Sequence, residues 1–451
     1  MGSGAQAAGP ARPHVQQLEW LRGGAHFRGF GAERASSPIR AHRRTSSLLN
    51  HICDISSMSA TIGGIEAFAE PIYVTRPFLP PFERVEGRLR EIWASRRLSN
   101  MGPQHDLLQA ELTRHLGVPE LRLFSNGTLA LQIALLAMGI TGKVLTTPFT
   151  FSATVHAIAL CGAEPVFCDV DPHTLCIDPR SVERMIDDDV AAIIGVHVYG
   201  TPCDVDALSH IAKAHGLKLI FDAAHAFGTT LQGRPIGKFG DATMFSFHAT
   251  KLFHTAEGGG LAFSDPALAH KLELLRNFGI ESEDEVALVG TNAKLNEIQA
   301  AIGLEVLATL ESERALRAEV KAAYVRGLQD TPGIRVVPPG AGISDSLQYA
   351  VIRIDEAEFG MNRDALWAAL KDWKVFSRRY FFPLCSDFPS YRACQRDNLE
   401  QAELAAREVL CLPMFGDLGA RGAERIAQMI QYLHRRVRGA TGQSSMPSYT
   451  P

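Results

Sequence analysis

The chain has no apolar run long enough to cross a bilayer, so no spanning helix is expected. It has no secretory signal pattern and no CxxC pair among its 8 cysteines, and after residue 58 it has no internal repeat and no low-complexity tract. It also lacks a charge excess: 45 Lys and Arg against 49 Asp and Glu leave a net charge of −4. That balance removes the basic field that nucleic acid or an anionic membrane would need, and neither is expected as a partner. A local pocket for an anionic small molecule remains open. Several cysteines lie inside apolar stretches, such as Cys168 in PVFCDV. They read as reduced, buried thiols rather than disulfides, which points to a cytoplasmic location.

At 451 residues the chain is too long for one small core, and a large domain with a smaller one is the natural expectation. Residues 1–57 are rich in Arg, Gly, Ser and Ala, poor in acids and without sustained periodicity. They are expected to be a disordered extension outside the fold, with Met58 as an alternative start. From about Tyr73 onward, strand-like and helix-like segments alternate. LRLFSNGT reads as a strand entering a glycine turn, LALQIALLAMGI as an apolar helix, and AAIIGVHVYG as a strand buried on both faces. This βαβα rhythm predicts an α/β domain with a doubly wound sheet over residues 58–310, including an N-terminal arm. The looser pattern after about Leu310 predicts a smaller α+β domain over 311–451.

In open α/β sheets ligands bind beyond the carboxyl ends of the strands, and five features fall at such ends. SNGTLALQIAL carries Gly127 and Thr128 in a small-residue turn that opens a helix, a ready anion site or merely a plain cap. Phe151 in PFTFSAT could stack on a planar ring or belong to the core. Asp222 in IFDAAHAFG follows an apolar strand directly. A carboxylate there wants a cationic partner, whether a protonated ring nitrogen or a structural charge. His225 lies three residues on and either touches the same ligand or packs. In FSFHATK, Ser246 could donate to a phosphate, His248 could handle a proton or pack, and Lys251 could condense with an aldehyde if its surroundings lower its pKa. Three glycines, Gly258 to Gly260, follow it. The fifth feature is GTNAKLNEIQAAIGL, polar and then helical, with Asn292 as a further phosphate donor. An aldehyde, a phosphate and a pyridine ring in one molecule describe pyridoxal phosphate. Lys251 would take the aldehyde, Gly127, Thr128 and Ser246 the phosphate, and Asp222 the ring nitrogen. No metal is called for.

The motifs NGTLAL, HVYGTPCDV, DAAHAFG, GDATMFSFHATK, EGGG and NEIQAAIGL closely resemble those of the DegT/StrS family of sugar-nucleotide aminotransferases, from about Tyr73 to the mid 430s. The resemblance implies a fold-type I large domain with a mostly parallel seven-stranded sheet and a small C-terminal domain. It also implies homodimers with active sites shared at the interface. It puts Asn292 at the position that reaches the phosphate of the neighbouring subunit, Phe151 at the ring-stacking position and His225 beside the cofactor. VTRPFLPPFE, GPQHDLLQAEL and RRYFFPLCSDFPSYR resemble members that aminate C4 of a nucleotide-linked 4-keto-6-deoxyhexose, with glutamate as donor. Met101 in LSNMGP departs from the polar residue often found there, near the expected sugar site. The alternatives are amination at C3 of a related nucleotide sugar, or a non-catalytic protein with an aminotransferase shell. Such shells usually lose the lysine or the aspartate, and both stand here.

Overall fold

In a computed structural model of the chain, residues 61–442 are described. The expected extension 1–57, with Cys53, and the alternative start Met58 lie outside them. The seven strands of the main sheet are β1 (Glu120–Phe124), β2 (Lys143–Thr146), β3 (Glu164–Phe167), β4 (Val190–Val196), β5 (Lys218–Asp222), β6 (Ala242–Ser246) and β7 (Gly259–Phe263). Their order across the sheet is β1-β7-β6-β5-β4-β2-β3. Strands β3, β2, β4, β5 and β6 pair in parallel. Only β7 runs against its neighbours, β6 and β1. The mostly parallel seven-stranded sheet of a fold-type I enzyme is therefore present.

The local reasons are legible. Strand β4, VAAIIGV, is apolar on both faces because helices cover both sides, and six of its seven residues are buried. Phe221, Phe245 and Phe247 are fully buried, each stabilising the fold by about 1.5–3 kcal/mol. Losing the Phe245 ring to alanine would cost about 3–5 kcal/mol. Helix α1 (Gly127–Ala137), GTLALQIALLA, is apolar nearly all round and is wedged against the sheet.

Helix α2 (Glu297–Leu328) is continuous over 32 residues, started by an Asn296–Gln299 capping box. The boundary expected at 310 falls inside it, so the chain enters its C-terminal part on a rigid helix rather than a linker. That part holds an antiparallel sheet of β8 (Ile334–Val336), β9 (Ala350–Ile354) and β10 (Val409–Leu412), in that order. Helix α3 (Gly419–Gly442) and α2 pack on it through Tyr324, Ile426 and Ile430. Residues 61–74 join this same part. Trp373 donates to Ile65 O at 3.1 Å, and Ile72–Tyr73 pairs with Val375–Phe376. No helix among the described residues is long and apolar enough to cross a membrane.

Candidate active site

The carboxyl ends of β1, β5 and β6 lie along one edge of the sheet. Because β7 is antiparallel, its first residue reaches the same edge, where Gly259 pairs with both Phe124 and Ser246. The loop from β6 to β7 carries Lys251 over that edge. Seven of the eight expected site residues line one cavity of about 260 Å³ there: Gly127, Thr128, Phe151, Asp222, His225, Ser246 and Lys251. Asn292 does not. It is exposed and bridged to Asn277, away from the cavity of its own chain.

The wall beneath β1 suits an anion. Asn126 is the N-cap of α1, and its Oδ1 accepts from Leu129 N at 2.9 Å. The N–H groups of Gly127 and Thr128 have no acceptor inside the helix, and both residues face the cavity. The turn can lie this close to the sheet only without side chains. A Cβ on Gly127 would meet Met244 Sδ at 3.0 Å, and one on Gly259 would meet the Asn126 backbone at 2.6 Å. Ser246 adds a hydroxyl on the same wall. A phosphate fits this cradle.

Asp222 ends β5 at 5% exposure. Burial pushes its carboxyl above the usual range. Ala224 N–H donates to Oδ1 at 3.0 Å and Thr154 Oγ1 donates to Oδ2 at 2.8 Å, both pulling it back, as does the charge of Lys251. A cation in the cavity would complete this compensation, so a protonated ring nitrogen fits. Lys251 is lowered from 10.5 to about 8, chiefly by burial, with Asp222 acting in the opposite sense. A half-buried amine poised near neutrality can both attack a carbonyl carbon and carry a proton. These groups fit pyridoxal phosphate.

His225 is buried and its pKa is pushed well below the ordinary value, first by desolvation and then by Lys251. Its Nδ1 accepts from Tyr199 N–H at 3.3 Å, so Nε2 carries the proton. Its ring stacks on Phe381 at 5.8 Å and meets the edge of Tyr349 at 5.0 Å. Tyr199 is itself held at φ +55°, strained for a bulky residue and adjacent to the site. Phe151 caps the helix Ser152–Leu160 and stays 58% exposed at the cavity wall.

Several residues in or behind the cavity wall are not among those expected from the sequence. Thr150 and Thr154 share a hydrogen bond of 2.9 Å, and the second orients Asp222. Their i, i+4 spacing in TFSAT was a usable signal. Tyr349, Tyr380 and Phe381 come from the C-terminal part, and Glu257, 3.5 Å from His248, stands at the rim. Glu257 arrives on the same loop as Lys251, whereas Tyr349, Tyr380 and Phe381 reach the sheet edge only through chain folding.

Comparison with known proteins agrees with this geometry. Residues 83–431 match the DegT/DnrJ/EryC1/StrS aminotransferase family. The chain is 40% identical over 363 residues to dTDP-4-amino-4,6-dideoxy-D-glucose transaminase of Shigella dysenteriae, covering 80% of this chain and 99% of that one. It is 38% identical to the protein of the same name in Escherichia coli over 365 residues, covering 80% and 98%. Among solved structures, DesI in the presence of its TDP-sugar product superposes with a TM-score of 0.81 at 37% identity, covering 84% of this chain and 97% of that one. A cavity built for pyridoxal phosphate, on a chain matched over nearly all of its described length, leads to one conclusion: the protein belongs to the DegT/DnrJ/EryC1/StrS aminotransferase family and is a pyridoxal-phosphate-dependent sugar aminotransferase.

Proposed function

We propose that this protein moves an amino group from glutamate to C4 of dTDP-4-keto-6-deoxyglucose. The observation that carries the amino transfer is Lys251, a half-buried amine lowered to about 8, lining one cavity with the buried carboxylate of Asp222. The choice of sugar is supported by the names of the two transaminases that the chain matches over almost their whole length.

Bound pyridoxal phosphate supplies an aldehyde that takes up the amino group and a ring that draws in electrons. Gly127, Thr128 and Ser246 would hold its phosphate, Phe151 would stack on its ring and His225 would lie beside it. Asp222, oriented by Thr154 and Ala224, keeps a positive charge on the ring nitrogen. Lys251 Nζ, once released, removes a proton from the donor's α-carbon and delivers it again at a neighbouring carbon. The reverse sequence then runs on the keto sugar, which makes the kinetics ping-pong.

Both substrates and the cofactor are anionic, while the only Lys or Arg lining the cavity among the described residues is Lys251 itself. The site is therefore shared in a homodimer. Asn292, exposed outside its own cavity, reaches the phosphate held by the neighbouring subunit. The exposed Val289 at 94% and Phe278 at 49% belong to the face that the neighbour covers. A cytoplasmic location completes this reading and fits the seven free thiols among the described residues.

The test is an absorbance spectrum of cofactor-loaded protein before and after glutamate, then after the 4-keto sugar nucleotide, with the product identified by NMR. The expected result is loss of the visible band, its return with the sugar, and a C4 amine. Cycling with glutamate but not with this sugar would replace the substrate. A response only to a 3-keto isomer would move the amine to C3. No cofactor-dependent band would overturn the enzyme reading.

A further inference from the structure

Lys251 has two tasks in the reading above, holding the cofactor and carrying a proton, and both need its Nζ to return to one place. A lysine has four rotatable side-chain bonds, so the return depends on how firmly its backbone is held. The loop itself supplies one bond, Lys251 N–H to His248 O at 2.8 Å. The peptide groups on either side of the lysine are held from elsewhere. Gln348, 97 residues away in sequence and 3% exposed, donates from Nε2 to Thr250 O at 2.9 Å and accepts at Oε1 from Leu252 N–H at 2.7 Å. A primary amide presents a donor and an acceptor side by side, the pattern of a peptide edge, and matches the C=O of one residue and the N–H of the second residue after it. Gln348 is anchored in turn. Its own N–H donates to Ser346 Oγ at 3.3 Å, and that hydroxyl donates to Tyr199 O at 3.4 Å. Gln348 does not line the cavity, though its neighbour Tyr349 does.

We propose that Gln348 is the positioning residue of Lys251. It clamps both peptide groups that flank the lysine and ties them to the C-terminal part of the chain, so that only the Lys251 side chain moves between the two tasks. The proposal rests on the assignment of Lys251 as the catalytic amine.

The test compares wild type with Gln348→Leu, which removes both bonds, and Gln348→Glu. The glutamate variant can still accept from Leu252 N–H but turns an acceptor toward Thr250 O. It carries the test if the leucine variant does not fold. Hydrogen exchange is measured on the cofactor-free protein and steady-state kinetics on the loaded one. Faster exchange confined to residues 250–252 is expected, with kcat reduced on the order of tenfold to a hundredfold and KM for glutamate within about twofold. Exchange at Leu252 equal to wild type would mean that the clamp does not form. Local acceleration with kcat unchanged would mean that it forms but does not position the amine. Faster exchange across the whole protein, with KM and kcat moving together, would reduce Gln348 to a general structural residue. Turnover by Lys251→Ala, measured in parallel, would instead sink the assignment of the lysine.

Discussion

Among the described residues, a buried pair of opposite charges in helix α2 and a partly buried one at the sheet edge are handled in opposite ways. In helix α2, Arg317 and Glu313 are 1% and 3% exposed and meet at 2.6 Å. Glu313 also accepts from Gly416 N–H at 3.0 Å, so the protein itself answers the charge. At the sheet edge, Lys251 and Asp222 shift each other's pKa but form no ion pair within 4.0 Å. Asp222 takes two donors and keeps a side toward the cavity. A structural pair is closed by the protein, whereas a functional pair is left partly open for a ligand to close.

Removing one member from each pair separates the two designs. Lys251→Ala should lower turnover by about 10,000-fold or more while thermal unfolding stays near wild type, read by steady-state kinetics and calorimetry. Arg317→Met should do the reverse. It strands a buried carboxylate, at about 3–5 kcal/mol of stability, and leaves turnover per folded molecule unchanged. Replacing Glu313 with Leu in the same chain should recover most of that loss in denaturant unfolding, since no charge is then left unpaired.

A smaller effect tests the open side of Asp222. Asp222→Asn should keep the fold and retain cofactor in equilibrium dialysis but lower kcat by roughly 100-fold, because a neutral amide no longer favours charge on the ring nitrogen. The smallest effect is a pH profile. With Lys251 at about 8, the protonated amine dominates below that pH and cannot attack an aldehyde. Cofactor uptake by the cofactor-free protein should therefore fall by about tenfold per pH unit below 8 and level off above it. Asp222 holds the Lys251 pKa up, so Asp222→Asn should move the midpoint to lower pH. An unmoved midpoint would mean that the two groups are not coupled.

Much of the site was legible because strand ends announce themselves. Asp222 follows an apolar strand, Gly127 and Thr128 follow another, and Lys251 sits between a strand and three glycines. Pattern pointed to Gly127, Thr128, Asp222, Ser246 and Lys251 and left Phe151 and His225 open between ligand and core, and the fold brings all seven to one cavity. The 32-residue helix α2 runs through the boundary expected at 310, where the looser pattern of the sequence does not reveal its packing against α3. The arm at 61–74 was attached to the large domain by proximity in sequence, whereas its contacts run to Trp373 and Phe376.

By itself, the sequence determined the α/β class through local period and turn chemistry, which also mark strand ends and their polar groups, and its motifs determined the family and with it the cofactor. Only the tertiary structure decided that Thr154 orients Asp222, that Tyr349 and Phe381 enclose His225, and that Gln348 grips the chain on both sides of Lys251. Those pairs lie between 68 and 156 residues apart. Neither hydrophobic period nor turn propensity reaches that far. Contact at such distances is set by how the sheet, α2 and the C-terminal part pack together.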